Sequence, residues 1–328
     1  MKNKIKVCVE RANAASFHID VLVLKYAQEL YGLDEVVVDL FEQNGTDIRS
    51  RLPNEGSTYL TKASYPIFAK RILFVGVKEL KDFRYKEIRE FASDALGALV
   101  QLTPEAKSIG ITLHGAGYGL DELEAFESEV AGLMDAIAWQ KYPPQLETIY
   151  FLEDKPARAK RLKYMLSKLI PGGSIGIEQD SENLSKTSER LRSAGYSTES
   201  KPHIFVAMPF DETMDDVYYY GIKGAVNSAG FVCERADLSS FTGDVLNWIH
   251  KRIRTANFVV ADLTNANPNV YLEVGYAWGC GVPTILIARD PIDLKFDVSR
   301  QRCLVYKRIK DLEKLLKEEL ENLKKKDL

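Results

Sequence analysis

The stretch 258–288 contains two carboxylates, together with amide and phenol side chains. Asp262 ends an apolar run, and Glu273 lies in the segment that follows it. A carboxylate can capture a carbon that becomes positive in a transition state, or stabilise it by charge alone. Glu273 is therefore the candidate catalytic residue, with a solvated acid on a helix surface as the alternative.

The elements around Glu273 follow the order strand, helix, strand. The apolar run 258–262 predicts a strand, and Asn267 followed by Pro268 is typical of a helix start. That helix is predicted to end at Gly279, before a second strand over 283–288, which makes a βαβ unit with a parallel crossover. Open α/β sheets bind ligands beyond the carboxyl ends of their strands. Glu273, on the second helical turn, is predicted to face that crevice.

The composition bounds the class of protein. The chain has 328 residues, of which 45% are hydrophobic and 28% charged, and this predicts about two domains with their own cores. The net charge of -3 argues against a broad nucleic-acid surface. No apolar run reaches the ~18 residues that would span a bilayer, and no signal peptide is recognised. We therefore expect a cytoplasmic protein that binds neither nucleic acid nor a membrane.

Cysteine and histidine usage gives no sign of a metal or disulfide framework. The widely spaced cysteines read as reduced thiols, and the histidines lack ligand spacing. These residues are Cys8, Cys233, Cys280, Cys303, His18, His114, His203 and His250. We expect no metal and no resident cofactor. His114, at the end of a strand, is read as a core histidine.

Alternating apolar strands and amphipathic helices occur twice, which predicts an α/β protein of two domains. Each domain is expected to be a mostly parallel sheet with helices on both faces. The boundaries are a first domain over 1–170, a linker over 171–200 that is rich in Ser, Glu, Lys and Asn, and a second domain over 201–328. Within the first domain, a helix is predicted over Lys25 to Tyr31, ending at Gly32.

Three blocks of the second domain resemble the nucleoside 2-deoxyribosyltransferase-like superfamily, relatives of TIR-type NAD-cleaving domains. They are the strand and turn 204–210 (IFVAMPF), the strand 259–262, and the helix pattern Glu-x-Gly-Tyr-Ala at 273–277 with its following Gly-Val-Pro. The resemblance implies that Glu273 attacks the anomeric carbon of a nucleoside or nucleotide. Transferases of this family often carry an aspartate where this chain has Asn267. That difference weighs against nucleoside transfer more than against glycosidic cleavage.

The first domain resembles, over fewer residues, the macro domains and the N-terminal domain of leucine aminopeptidases. The matching segments are Ile19 to Val23 and the strand and glycine loop 108–119 (SIGITLHGAGYG). The resemblance implies that the loop cradles the diphosphate of an ADP-ribose-like ligand. Glycines let backbone N–H groups approach an anion, which supports this expectation. The alternative is a tight connection that needs a positive φ.

These patterns and resemblances together give a set of expected site residues. Glu273 and Asp262 are expected to be catalytic, with a cap on the turn 264–267 as the alternative for Asp262. Asn267 is favoured as the helix cap over a contact with sugar hydroxyls. The expected substrate-binding residues are Met208, Pro209, Phe210, Asp244, Asn267, Asn269 and Tyr276. The expected regulatory ligand-binding residues are Gly115, Ala116, Gly117, Tyr118 and Gly119.

The expected function is an N-glycosidase that cleaves the base–ribose bond of a nucleotide, with NAD as one candidate substrate. A ligand on the N-terminal domain would regulate it, in the manner of sensor-plus-effector proteins of bacterial antiviral defence. We expect a homo-oligomer whose partner is a small-molecule nucleotide. Two alternatives stay open: a nucleoside or nucleoside-monophosphate hydrolase or transferase, and a non-catalytic nucleotide-binding or assembly module.

Overall fold

The chain divides into two compact units. The computed structural model describes residues 4–176, 191–209, 211–235, 245–290, 298 and 301–325. Unit 1 comprises 1–116 and 122–199, and unit 2 comprises 117–121 and 200–328. Both are α/β units built on a largely parallel sheet, which confirms the predicted fold class.

Unit 1 contains a seven-stranded sheet in the order β3-β4-β2-β5-β6-β1-β7. Its strands are β1 (Lys4–Arg11), β2 (Val21–Tyr26), β3 (Thr58–Lys62), β4 (Arg71–Gly76), β5 (Ser108–Ile111), β6 (Thr148–Glu153) and β7 (Ser174–Gly176). The five central strands run parallel, and the edge strands β3 and β7 are antiparallel to their neighbours.

Four helices lie between the described strands of this sheet. They are α1 (Leu33–Gln43), α2 (Tyr85–Leu102), α3 (Glu122–Ala138) and α4 (Pro156–Leu169). Helices α2 and α3 approach so closely that a Cβ on Gly132 would lie 2.0 Å from the carbonyl oxygen of Arg89. Arg89 itself is buried and forms a two-pronged ion pair with Asp135 of α3. A glycine at position 132 is therefore required by the packing of the two helices.

The prediction of a helix over Lys25 to Tyr31 is wrong. Strand β2 continues to Tyr26, and the helix begins only after Gly32, whose φ is +70°. The strand lies between β4 and β5, so it is a central strand, and such strands read as continuous apolar runs. Lys25 interrupts the apolar run in the sequence, which predicts that the strand ends there. In the structure its ammonium is buried, 3.9 Å from the carboxylate of Asp34.

The stretch 171–200, expected to be a linker, is described only in part. Strand β7 (Ser174–Gly176) pairs with β1, and residues 191–199 group with unit 1. The positions from 177 to 190 lie outside the described residues. Apart from Ser200, the described residues of the stretch thus group with the first unit.

Unit 2 contains a five-stranded sheet in which every neighbouring pair is parallel. Its strands are β8 (His203–Ala207), β9 (Val232–Glu234), β10 (Phe258–Asp262), β11 (Thr284–Ala288) and β12 (Cys303–Val305). The order β9-β8-β10-β11-β12 is that of a doubly wound sheet whose strand order reverses between β8 and β10. Doubly wound sheets bind ligands at that switch point, beyond the carboxyl ends of the strands.

Helices cover both faces of this second sheet. A π-helix (Val217–Lys223) continues into α5 (Gly224–Ser228), and α6 (Val245–Thr255), α7 (Pro268–Gly279) and α8 (Ile309–Lys324) follow. Along β8, Ile204 and Val206 join the core that contains α5 and α8, whereas Phe205 and Ala207 join the core that contains α6 and α7. This alternation follows the two-residue period of a strand. No described helix is long and apolar enough to cross a membrane.

Candidate active site

The switch point of unit 2 brings two loops side by side. Ala207 of β8 is in register with Ala261 of β10, and the chain leaves these strands through Met208 and Asp262 respectively. Helix α7 starts a few residues after Asp262. The elements that carry the predicted catalytic residues therefore meet at the edge of the sheet where a ligand is expected.

Asp262 lies at the end of β10 and is fully buried. Its Oδ1 accepts a 3.0 Å hydrogen bond from the amide of Thr264, and its Oδ2 accepts a 2.9 Å bond from the hydroxyl of Tyr306. Burial raises the pKa of this carboxyl, and the hydrogen bonds oppose the shift. Asp262 thus caps the turn after the strand, and its full burial leaves its carboxylate out of reach of a substrate unless the turn moves.

The turn between β10 and α7 holds an unusual backbone. Asn265 and Ala266 have φ values of +62° and +48°, in the left-handed region. Asparagine tolerates that region, whereas alanine loses roughly 1–2 kcal/mol there. The hydroxyl of Thr264 accepts a 3.1 Å hydrogen bond from the amide of Arg289, which fixes the turn on its other side. Strain of this kind is found where a binding site requires a particular loop shape.

Helix α7 begins with the cap that the sequence predicts. The side-chain oxygen of Asn267 accepts a 2.9 Å hydrogen bond from the amide of Asn269, and Pro268 occupies the first turn. This is the favoured reading of Asn267. Asn269 is exposed at the same helix end, where its side chain is accessible to a ligand.

Glu273 lies on the second turn of α7 and is partly buried. Among the described residues, no cation and no hydrogen-bond donor contacts its carboxylate. Loss of hydration therefore goes uncompensated and raises the pKa of Glu273 to about 7. A carboxyl with this pKa exchanges its proton near neutral pH, as a catalytic acid, base or nucleophile must.

The side chain of Tyr276 packs against helix α6. Its ring stacks on His250 of α6, with ring centroids 4.0 Å apart and planes inclined by 15°. A hydrogen bond with the thiol of Cys280, at the end of α7, raises the pKa of its hydroxyl. These contacts lie towards the carboxyl end of α7, and the role of Tyr276 in substrate binding stays a prediction.

Four other residues are expected to contact the substrate, and the structure describes two of them, Met208 and Pro209. Met208 is 1% exposed and belongs to the core on the α5 and α8 side, and Pro209 is buried after it. Phe210 and Asp244 lie outside the described residues. Met208 therefore packs in the core at the end of β8, and its role as one wall of a base pocket stays a prediction.

Two residues at this edge were not identified from the sequence as part of the site. Tyr306 is 1% exposed and binds Asp262, although it follows a short edge strand with no motif around it. Arg235 follows β9, where a solvated loop residue is the default expectation, but its side chain is only 12% exposed. The position of Arg235 after an apolar strand was the one signal that could have found it.

The glycine loop after β5 is divided between the units. Gly115 and Ala116 group with unit 1, whereas Gly117 to Asp121 group with unit 2. Gly115 and Gly119 have φ values of +85° and +87°, which the tight-connection alternative requires. The segment Ala116–Tyr118 between them forms a short 3-10 turn.

Gly119 also has a packing role within unit 2. Its carbonyl accepts a 3.1 Å hydrogen bond from the amide of Arg235, and an added Cβ would lie 2.5 Å from the ring of Trp248. Gly119 is therefore held by the second unit. The assignment of the loop as a ligand cradle stays a prediction. No group of three or more metal-ligating side chains is found in the described part of the chain.

Comparison with known proteins gives matches only among solved structures. No protein family matches the chain, and no curated protein does. A Trypanosoma brucei macrodomain in complex with ADP aligns over 49% of this chain and 69% of its own, with 16% identity and a TM-score of 0.39. The macrodomain of Thermus aquaticus DarG aligns over 44% and 97%, with 15% identity and a TM-score of 0.34.

A tomato leucine aminopeptidase mutant aligns over 87% of this chain and 82% of its own, with 10% identity and a TM-score of 0.36. Macrodomains and a leucine aminopeptidase are the two groups that the glycine loop resembles. Because these TM-scores lie below 0.5, the matches carry no argument about a ligand or an activity. The resemblance of unit 2 to nucleoside 2-deoxyribosyltransferase-like proteins stays a prediction.

Proposed function

We propose that unit 2 is an N-glycosidase that cleaves the base–ribose bond of a nucleotide. The observation that carries the proposal is Glu273, a partly buried carboxyl with no partner among the described residues and a pKa near 7. It follows the switch point of a doubly wound sheet, where this architecture binds small molecules. A surface glutamate without a function would be hydrated and would keep its ordinary pKa.

The chemistry follows from the charge that develops on the sugar. As the bond from the anomeric carbon to the base nitrogen breaks, its electron pair leaves with the base and the sugar becomes an oxocarbenium ion. The ionised carboxylate of Glu273 stabilises that cation or bonds to its anomeric carbon. Water then adds to the anomeric carbon, which breaks the bond to Glu273 where one has formed, and the proton that the water loses passes to the departed base or to solvent, leaving the free base and the sugar phosphate. Asp262 supports the reaction by holding the turn in front of α7.

The substrate and regulation are part of the same proposal. NAD is one candidate nucleotide, and the glycine loop 115–119 is the candidate site for a regulatory ADP-ribose-like ligand. The loop is suited to regulation because Gly119 is bonded to Arg235 at the active edge of unit 2. A ligand that moved the loop would thereby act on the end of β9.

A non-catalytic nucleotide-binding module is the competing function. Asp262 and Asn267 favour it, since both side chains are occupied in capping and neither is free for chemistry. Glu273 opposes it, because burying an unpaired carboxyl is costly and is maintained where the group is used.

The direct experiment is an assay of base release by the 328-residue chain. NAD and a panel of purine and pyrimidine nucleotides and nucleosides are incubated with it, and free base is separated by chromatography. The same assay is run with Glu273→Gln and with Glu318→Gln, an exposed glutamate on α8. Base release that is lost only in Glu273→Gln supports the proposal. Binding without release from any substrate supports the non-catalytic module.

A further inference from the structure

Arg235 occupies an enclosed position at the carboxyl edge of the second sheet. It follows β9 directly, and β9 pairs with β8, so Arg235 lies beside the loop that begins at Met208. Its side chain is 12% exposed. A guanidinium that follows a strand is ordinarily solvated, and this one is largely withdrawn from water.

Apolar and aromatic groups hold the guanidinium in place. Its central carbon lies 4.1 Å from the ring centroid of Tyr218, and Nη1 lies 3.7 Å from the sulfur of Met208. Tyr218 belongs to the π-helix, and its hydroxyl donates to the carbonyl of Cys233 at 3.5 Å. The amide of Arg235 is anchored to the carbonyl of Gly119 at 3.1 Å. Both ends of the residue are thus fixed before any ligand arrives.

The charge of Arg235 is only weakly neutralised. Its single acidic neighbour in the described part of the chain is Asp215, whose Oδ1 lies 3.4 Å from Nη2. The Asp215 side chain is 51% exposed, so water competes for it. Five N–H groups project from a guanidinium, and in the described part of the chain those of Arg235 contact one sulfur at 3.7 Å and one carboxylate at 3.4 Å, which leaves several of them to bind a ligand. Arg235 therefore has the capacity to bind a further anion.

The planar arrangement of the N–H donors on Arg235 fits a phosphate. The planar N–H groups of arginine match two oxygens of a phosphate at once, and such charged pairs are stronger in a poorly hydrated setting. The switch point where Glu273 is proposed to act is at the same edge of the sheet, one strand away from β9. A substrate that spans this edge can present its sugar to one residue and its phosphate to the other.

We propose that Arg235 binds a phosphate group of the substrate and thereby selects nucleotides over nucleosides. This inference rests on the proposed function of unit 2 and narrows its substrate class. Arg235 acts as a specificity residue, because the broken bond lies on the sugar and not on the phosphate. A nucleoside has no phosphate to offer Arg235, so within the hydrolase or transferase alternative a nucleoside substrate is disfavoured and a nucleoside monophosphate is not.

The test compares adenosine and AMP, which differ only in phosphate, and includes NAD as the candidate dinucleotide substrate. The kcat/KM for base release is measured with adenosine, AMP and NAD, using the unmodified chain, Arg235→Gln and Arg235→Lys. We expect Arg235→Gln to lower the ratio of AMP to adenosine kcat/KM at least tenfold, which corresponds to 1.4 kcal/mol. Arg235→Lys keeps the charge without the planar pair of donors, so its ratio falls between the other two.

Arg302→Gln is the matched control, because Arg302 is 72% exposed and pairs with Glu319 on α8. It should leave the ratio unchanged. Thermal unfolding of each variant identifies any that do not fold, and Arg235→Lys keeps the test decisive if Arg235→Gln is one of them. An unaltered ratio in folded Arg235 variants overturns the inference while leaving glycosidase activity established.

If the unmodified protein releases no base from any substrate, the proposed function fails and the inference is tested by binding alone. Calorimetric titration with AMP and with adenosine then takes the place of the rate assay. Tighter binding of AMP that is weakened at least tenfold in Arg235→Gln supports a phosphate site. Equal binding of AMP and adenosine, or no binding of either, overturns it.

Discussion

The hydroxyl of Tyr306 donates a 2.9 Å hydrogen bond to Oδ2 of Asp262, joining the chain after the edge strand β12 to the end of β10. Tyr306 is 1% exposed, and burial together with the charge of Asp262 raises the pKa of its hydroxyl. The Asp262 carboxylate in turn holds the amide of Thr264. A residue far along the chain thus fixes the turn that introduces the helix of Glu273.

Tyr306→Phe should destabilise unit 2 by about 1–3 kcal/mol, because it leaves one buried oxygen of Asp262 without its donor. Urea unfolding measures the loss, and Tyr220→Phe, at a position that is 61% exposed, is the matched control. Base release should also fall, since the turn before α7 loses a support. Unchanged stability in Tyr306→Phe would show that water replaces the hydroxyl.

Glu273→Gln should abolish base release while leaving the fold intact. Losing the nucleophile or the stabilising charge should cost several kcal/mol of barrier, or roughly a thousandfold in rate. For the unmodified protein, the rate should rise with pH through about 7, because the reactive form is the ionised carboxylate and its pKa is about 7. A variant that retains most of the activity would remove Glu273 from the mechanism.

Stability should depend on pH through the same residue. The folded pKa of Glu273, about 7, lies above its ordinary value of 4.5, so the folded state binds more protons than the unfolded chain between these values. Stability therefore falls as pH rises through this window, by up to about 3 kcal/mol. Glutamine does not titrate, so Glu273→Gln should gain stability relative to the unmodified protein between pH 4.5 and pH 8.

Chemical denaturation at pH 4.5, 6 and 8 measures that difference, and Glu318→Gln controls for the loss of a surface charge. Asp262 is common to all three proteins, so its own titration cancels in the comparison. A difference between Glu273→Gln and the unmodified protein that stays constant with pH would mean that Glu273 is hydrated in solution.

Gly117→Val should weaken the binding of an ADP-ribose-like ligand at least tenfold, or 1.4 kcal/mol, if the glycine loop is a phosphate cradle. Gly117 is the suitable position because it lies in a 3-10 turn without a left-handed φ, unlike Gly115 and Gly119. Calorimetry of the full chain with ADP-ribose is the measurement. Catalysis by unit 2 without the ligand should persist in the variant.

The loop's ligand can be assigned independently of the active site. The same titration with Glu273→Gln, which is expected to keep the regulatory site, serves as the control. If ADP-ribose does not bind the full chain, the glycine loop is a structural connection and unit 1 is better described as a partner-docking or structural domain.

The sequence by itself determined the strand–helix–strand segment around Glu273. Strand β10, the cap at Asn267, helix α7 and strand β11 lie close to their predicted positions. These elements could be predicted because each rests on signals within a few residues: an apolar run, a capping side chain followed by proline, and glycines at the helix end. The same local signals predicted the repeated α/β pattern and hence the fold class.

Only the tertiary structure decided which side chains meet at the site. Tyr306 reaches Asp262, and Tyr218 seats Arg235, because strand order places distant segments side by side. From the sequence, Lys25 is predicted to start a helix. The structure instead places it in β2, between β4 and β5, where its buried ammonium pairs with Asp34. The pKa of Glu273 depends likewise on what surrounds α7 and not on its neighbours in sequence, since its hydration is lost only when unit 2 folds.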